Sequence, residues 1–278
     1  NCPLTHFDLY GLWSAGWDYK DGPFIEIYGC RIAPFAERSP QRPPPNHWHK
    51  RPQVAHWPIH CPGFEMATRS GGYSSPYDIG EEEWEFGSVS YINGIRTALD
   101  DALANATHLS QIGNGVRIFG THNSTSNLFI DVIECLMGYC GVTTTPVRVL
   151  QQQWREQLAK GGTVLHVCHS QGAIHTRNAL MTFPENLRER IMVVAIAPAA
   201  YISKDLCRQV VHYRTENPFR DPITRWDQLG AYRCRHTIRE LKSHPSAGFF
   251  DHSFQSKTYE KAIFYHIDRY VTSRGQQI

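Results

Sequence analysis

The stretch "TVLHVCHSQGAIHTRNAL", residues 163–180, decides the fold. Val164, Leu165 and Val167 make a short apolar run suited to a buried strand, and Gly172 to Leu180 contains no helix breaker. Ser170 therefore stands at the tip of a strand-to-helix turn. In the pattern G-x-S-x-G such a turn presents the serine as a nucleophile, and the small flanking residues keep the turn free of clashes. Here the pentapeptide reads Cys168-His169-Ser170-Gln171-Gly172. The second glycine is present, and a compact cysteine replaces the first. The pentapeptide alone says little; its strand and helix context makes Ser170 a candidate nucleophile rather than a hydroxyl in a turn.

Outward from this stretch, the chain alternates from about residue 86. "SVSYI" (88–92) reads as a strand, "RTALDDALANATHLSQI" as a helix and "GVRIFG" as a strand. "NLFIDVIECLMGYCG" and "VRVLQQQWREQL" read as helices before the strand at 163–168 and the helix at 172–182. "RIMVVAIAP" and "RQVVHYR" are further strands, and "SKTYEKAIFYHIDRYVTS" is a closing helix. Strands separated by helices pair in parallel through crossovers, so the expected fold is α/β, a mainly parallel sheet flanked by helices. No internal repeat is visible.

Residues 1–85 differ from the rest. Five of the seven tryptophans lie there (Trp13, Trp17, Trp48, Trp57, Trp84), with the proline-rich "SPQRPPPNHWHKRP". Only "FIEIYG" (24–29) suggests a strand. So many large aromatics favour burial over solvation, and the segment is expected to be an arm or cap packed on a main domain at 86–278.

A nucleophilic serine needs a base, an acid to orient the base, and donors for the oxyanion. In the proteins known to carry the G-x-S-x-G turn the acid and the base follow the serine in the chain, and that pattern, not geometry, limits the candidates here to later loops at the same sheet edge. Among the later acids, Asp221 leads because "QVVHYRTENPFRDPITRWD" puts it in a proline-flanked loop just after a strand. Glu216 and Asp227 are its rivals. For the base, His252 sits in a loop immediately before the last helix, which Ser253 or Ser256 would cap. His236, His244 and His266 are the rivals, and His266 lies well inside the helix. The oxyanion donors are expected to be the amide of Gln171 and one in the turn Asn93-Gly94-Ile95, with Ile95 favoured and Gly94 next. Gly94 allows a sharp turn there, and the following helix N-terminus adds partial positive charge. His169 is a poor base for its own neighbour, because adjacent residues on a strand end point to opposite sides. Cys168 reads as a packed small residue, His175 lies in the helix, and "FGTHNSTSN" (119–127) reads as a polar loop.

The bulk numbers exclude several classes. With 28 basic and 26 acidic residues the net charge is +2, which gives no case for nucleic acid or an anionic membrane as partner. No apolar run approaches the roughly 18 residues of a membrane span, so no integral membrane segment is expected. The chain begins Asn-Cys-Pro, and an upstream segment carrying a targeting or membrane signal is an open expectation. The eight cysteines (Cys2, Cys30, Cys61, Cys135, Cys140, Cys168, Cys207, Cys234) contain no Cys-x-x-Cys pair, against a zinc ribbon or thioredoxin-like motif. His47, His49, His56, His60 and Cys61 match no zinc signature and favour aromatic packing, so no metal and no cofactor are expected.

The motifs "SYINGIRTALDDAL", "VCHSQGAIHTRNAL", "RIMVVAIAPAAYI" and "HYRTENPFRDPITRWD" together resemble a chlamydial family of uncharacterised proteins. That family in turn is similar to the α/β-hydrolase superfamily, over roughly residues 86–270. The resemblance implies an α/β-hydrolase-like fold with Ser170 as nucleophile, Asp221 as acid and His252 as base, and implies no particular substrate. The expected function is a serine hydrolase of the esterase or lipase kind. It would act on an ester, thioester or other small-molecule or lipid acyl substrate through an acyl-enzyme. The alternative is a catalytically inactive interaction protein on the same scaffold. Oligomeric state and localisation are left open by the sequence.

Overall fold

Seven strands form the main sheet of the computed structural model, in which residues 74–95, 97–123 and 144–278 are described in full, with the backbone of 13–18, 22–27 and 30–32. The three short segments, β1 (Trp13–Asp18), β2 (Gly22–Ile27) and β3 (Cys30–Ile32), make an antiparallel sheet within a separate unit, residues 1–59. The expected packing of the arm, the histidine-rich stretch and the helix expected at 127–141 lie outside the described residues.

The main sheet contains β4 (Ser75–Ile79), β5 (Gly87–Ile92), β6 (Ile118–His122), β7 (Thr163–His169), β8 (Ile191–Ile196), β9 (Gln209–Thr215) and β10 (Ile238–Leu241). Its order is β10-β9-β8-β7-β5-β6-β4, and every pair is parallel except β4 with β6. The crossovers contain helices α1 (Leu99–Ile112), α2 (Thr145–Ala159), α3 (Gly172–Met181) and the short α4 (Glu185–Arg188), with α5 (Gln228–Arg233) and α6 (Lys257–Thr272) further on. Sequence reading leaves 75–79 in the N-terminal arm, yet it is the antiparallel edge strand. Pro76 lowers its strand propensity, and an edge position tolerates the missing N–H.

Strand alternation divides the core into two layers. Val89, Tyr91, Leu165, Val167, Met192, Val194 and Ile196 face one side, against Ala106 and Leu109 of α1 and Tyr259, Ile263, Ile267 and Tyr270 of α6. Ile92, Val164, Cys168, Val193 and Ala195 face the other, against Leu150 and Trp154 of α2 and Ala173 and Leu180 of α3. β7 is central and buried along its whole length. That is why its residues 164–168 read as nearly continuous apolar sequence.

One polar line crosses the second layer. The Trp154 indole N–H donates to Ser90 Oγ at 3.3 Å, and Ser90 lies 2.7 Å from His166 Nδ1. His166 Nε2 lies 2.9 Å from Thr176 Oγ1, which donates to the Gly172 carbonyl at 2.7 Å. One set of protons satisfies every link: Ser90 donates to Nδ1, and Nε2–H donates to Thr176. The line ends on the turn that carries Ser170, so it ties the serine turn to the core.

Burial keeps these histidines neutral. It pushes His166 and His212 down to about 3, and His175 down to about 4, from the usual 6.5. Between pH 6.5 and about 3–4 the unfolded chain therefore binds protons that the folded chain does not. Stability is fully present above pH 6.5 and falls as pH drops through that window. The carboxylates with lowered values, Glu83 and Glu240, start from 4.5 and contribute only lower down. Urea midpoints should thus decline steadily from pH 7 to pH 5; a flat midpoint over that range contradicts neutral buried histidines.

Candidate active site

The strand order places a crevice. From β5 the chain crosses through α1 to β6 on one side, and the next crossover, which includes α2, returns it to β7 on the other side of β5. At such a reversal the loops after the strands diverge, and ligands of open parallel sheets sit there. Asn93–Ile95 follow β5 and Ser170 follows β7, so both flank this point. The loops after β9 and β10 end at the same edge of the sheet, because these strands are parallel to β7.

Ser170 adopts φ +54°, in the left-handed region, and is 2% exposed. A non-glycine residue there costs on the order of 1–3 kcal/mol, held only if the surroundings over-determine it. They do: Ser170 N–H donates to Ile196 O at 3.2 Å, and its carbonyl accepts from Ala173 and Ala199 at 3.1 and 3.0 Å. Gly172 allows the close approach of the next helix to β5, since a Cβ there would stand 2.8 Å from Asn93 O and 2.9 Å from Ile92 O. Gly94 lies against the serine itself, where a Cβ would meet Ser170 Cβ at 2.7 Å and Oγ at 3.3 Å. Cys168 is fully buried, and burial pushes its thiol up to about 12. Its side chain packs into the layer with Ile92 and Ala173, so cysteine fits where glycine is usual without being reactive.

His252 bridges serine and carboxylate. Its Nε2 lies 2.8 Å from Ser170 Oγ and its Nδ1 lies 2.8 Å from Asp221 Oδ1. A carboxylate only accepts, so Nδ1 carries the proton and Nε2 is left to accept from the serine hydroxyl. Asp221 is fully buried and the His252 side chain is 19% exposed.

The rivals have other partners. Asp227 caps α5 through Gly230 N–H and pairs with Arg177 at 3.3 Å, while Glu216 is exposed. His266 bonds to Tyr213 at 2.8 Å, His244 bonds to Ser246 at 2.7 Å, and His236 is exposed. The Ser90–His166 pair is wholly buried and belongs to the polar line through the core, with no carboxylate bonded to it.

Arg220 and Asp251, which sequence reading did not single out, and His169, which it read only as a poor base, shape this cluster. Arg220 donates to the carbonyls of Ala247 and Gly248 at 3.3 and 2.9 Å, and its own carbonyl accepts from Asp251 N–H at 2.8 Å. These bonds stitch the acid loop to the histidine loop. Asp251 accepts from Ser256 Oγ and Thr258 Oγ1 at 2.5 and 2.7 Å, tying the residue before His252 to the first turn of α6. Ser256 rather than Ser253 caps that helix. His169 lies beside the cluster rather than on the opposite side from Ser170, because Ser170 at φ +54° has left the strand, and it bonds to the histidine loop instead of to the serine. Its Nε2–H donates to the His252 carbonyl at 2.7 Å, and the two rings lie 5.2 Å apart. Burial first, then the proximity of His252, push His169 down to about 3, so it stays neutral. Strand alternation carries the signal for His169, since it shares the face of Leu165 and Val167, under α6. Nothing local marks Arg220 or Asp251.

The seven-stranded, mainly parallel sheet with its antiparallel edge strand and flanking helices is an α/β fold of the α/β-hydrolase-like kind. No family model matches the chain, and no curated protein matches it. Among solved structures, esterase PE8 is 14% identical, covering 70% of this chain and 98% of its own, with a TM-score of 0.46. LpqC, described as a poly(3-hydroxybutyrate) depolymerase from Bordetella parapertussis, is 10% identical over 77% of this chain and 93% of its own, TM-score 0.43. Esterase LipW from Mycobacterium marinum is 11% identical over 77% and 86%, TM-score 0.42. Likenesses this distant carry no argument about chemistry.

Proposed function

We propose that the protein is a serine hydrolase that cleaves an ester, thioester or related acyl bond through an acyl-enzyme. The observation that carries this reading is the continuous chain Ser170 Oγ, His252, Asp221, with both links at 2.8 Å. In this reading Ser170 Oγ bonds to the acyl carbon while His252 Nε2 takes its proton. The carbonyl becomes an oxyanion, which the amides of Gln171 and of Ile95 or Gly94 are proposed to stabilise. Collapse breaks the bond to the leaving group, and His252 returns the proton to it. Water then repeats the sequence on the acyl-serine and releases the acid. Asp221 holds the histidine in the required tautomer and stabilises its transient charge.

An apolar substrate suits the surroundings. Phe219 is 83% exposed on the acid loop, and Phe249 and Phe250 are 78% and 65% exposed on the histidine loop. Large apolar groups left in water on the two loops that carry Asp221 and His252 support an acyl or alcohol portion with hydrocarbon character. The likeness of the quoted motifs to a chlamydial family is part of this reading and rests on those motifs.

A fluorophosphonate probe tests it. Folded protein should gain one phosphonyl group on Ser170, and Ser170→Ala should gain none. Folded wild type that remains unlabelled would leave an inactive scaffold as the better description.

A further inference from the structure

Asn93 follows β5 and Asn123 follows β6, thirty residues apart in the chain, and both side chains are fully buried. Asn93 Oδ1 accepts from Asn123 N–H at 2.8 Å, and Asn93 Nδ2 donates to Asn123 O at 3.1 Å. The side-chain amide thus pairs with a main-chain N–H and C=O as a strand neighbour would. It extends the β5–β6 pairing past its last register pair, Ile92 with Thr121. The same Nδ2 donates to Gly94 O at 2.9 Å. In a planar trans peptide the C=O and the next N–H point in opposite directions. Holding Gly94 O toward Asn93 therefore sets the direction of the Ile95 N–H. On the other side, Asn123 Nδ2 donates to Gln171 Oε1 at 2.7 Å, and Gln171 is 1% exposed. The ends of β5 and β6 and the turn after β7 are joined through two asparagine side chains.

The geometry points to Asn93 and Asn123 as positioning residues that align the Ile95 and Gln171 amides for the oxyanion, an inference that rests on the acyl-transfer reading above. Neither side chain is needed as an acid or base. Their amides stand where loops diverge and where main-chain pairing has run out. Without them the two donors would depend on separate loops, and a misplacement of about 1 Å at a reacting centre costs roughly 10²-fold in rate.

The test compares Asn93→Ala, Asn123→Ala, Gln171→Met and the double variant Asn123→Ala/Gln171→Met with wild type on a p-nitrophenyl ester. Each single variant should lower kcat by about 10- to 100-fold with KM within about twofold, since the donors act on the transition state. Affinity for an alkylboronic acid, whose serine adduct is tetrahedral and places an oxygen in the oxyanion site, should fall by the same factor. Fluorophosphonate labelling of Ser170 should still reach completion, which separates a misplaced donor from a lost nucleophile. The double variant should be no slower than the slower single one, because both residues serve one hydrogen bond. Folded Asn93→Ala or Asn123→Ala with kcat and boronate affinity within twofold of wild type overturns the inference. If Asn93→Ala does not fold, the same outcome in Asn123→Ala and Gln171→Met overturns it. Parallel losses in boronate and product affinity would mark general disruption and overturn it as well. Wild type that resists fluorophosphonate labelling removes the acyl-transfer reading, and the positioning role with it.

Discussion

Ser170→Ala and His252→Ala are each expected to lower kcat for an activated ester by roughly 10⁶, and the double variant to be little worse than either. Non-additivity follows from the geometry. The serine hydroxyl is bonded to His252 Nε2 at 2.8 Å, so losing either partner breaks the same proton transfer. His169 offers no substitute base, although its ring lies 5.2 Å from that of His252. Its Nε2–H is committed to the His252 carbonyl, and burial holds it near 3. Both variants should stay folded, because the serine turn keeps its backbone bonds to Ile196 and Ala199 and His252 sits in a loop. Steady-state kinetics on the purified singles and double checks this. Ser170→Ala with wild-type turnover would remove the mechanism altogether.

Asp221→Asn is expected to lower kcat by about 10⁴ while leaving the fold intact. An asparagine amide in the same place would donate to Nδ1, so the histidine would carry its proton on Nε2 and could no longer accept from Ser170. The two rival acids sharpen the measurement. Glu216→Gln removes a charge that is already in solvent, and Asp227→Asn weakens a helix cap and the pair with Arg177. Neither should change kcat by more than about twofold. A fully active Asp221→Asn beside an inactive Glu216→Gln or Asp227→Asn would move the acid and spare the mechanism.

What the sequence determined by itself is local and periodic. An apolar run, a small residue and an unbroken helix around Ser170 specify a strand-to-helix turn wherever that turn sits in space. Alternation of strand and helix after residue 86 favours a parallel sheet, since parallel neighbours need crossovers long enough to hold a helix. The resemblance to α/β-hydrolases, not the pattern itself, limits the expected acid and base to residues after 170, while parallel strands bring their following loops to one edge. Loop position puts Asp221 ahead of Glu216 and Asp227, and His252 ahead of His236, His244 and His266, as the proposed acid and base, and the fold places the Asp221 and His252 side chains 2.8 Å apart. The edge strands were not legible. In β4 Pro76 and Asp78 leave only Tyr77 and Ile79 as an alternating apolar pair, and β10 ("IREL") exposes its two central charged residues, so β4 has too short an apolar alternation and β10 none. The supporting polar residues were not legible either. Asn123 lies in a stretch that reads as a polar loop, and Asn93 opens the turn expected to supply an oxyanion donor, with nothing in the sequence to give its side chain a role. Whether a buried amide is a solvated turn residue or a tie between strands depends on which donors and acceptors the fold brings within about 3 Å, and residues thirty apart meet only once β5 and β6 have paired.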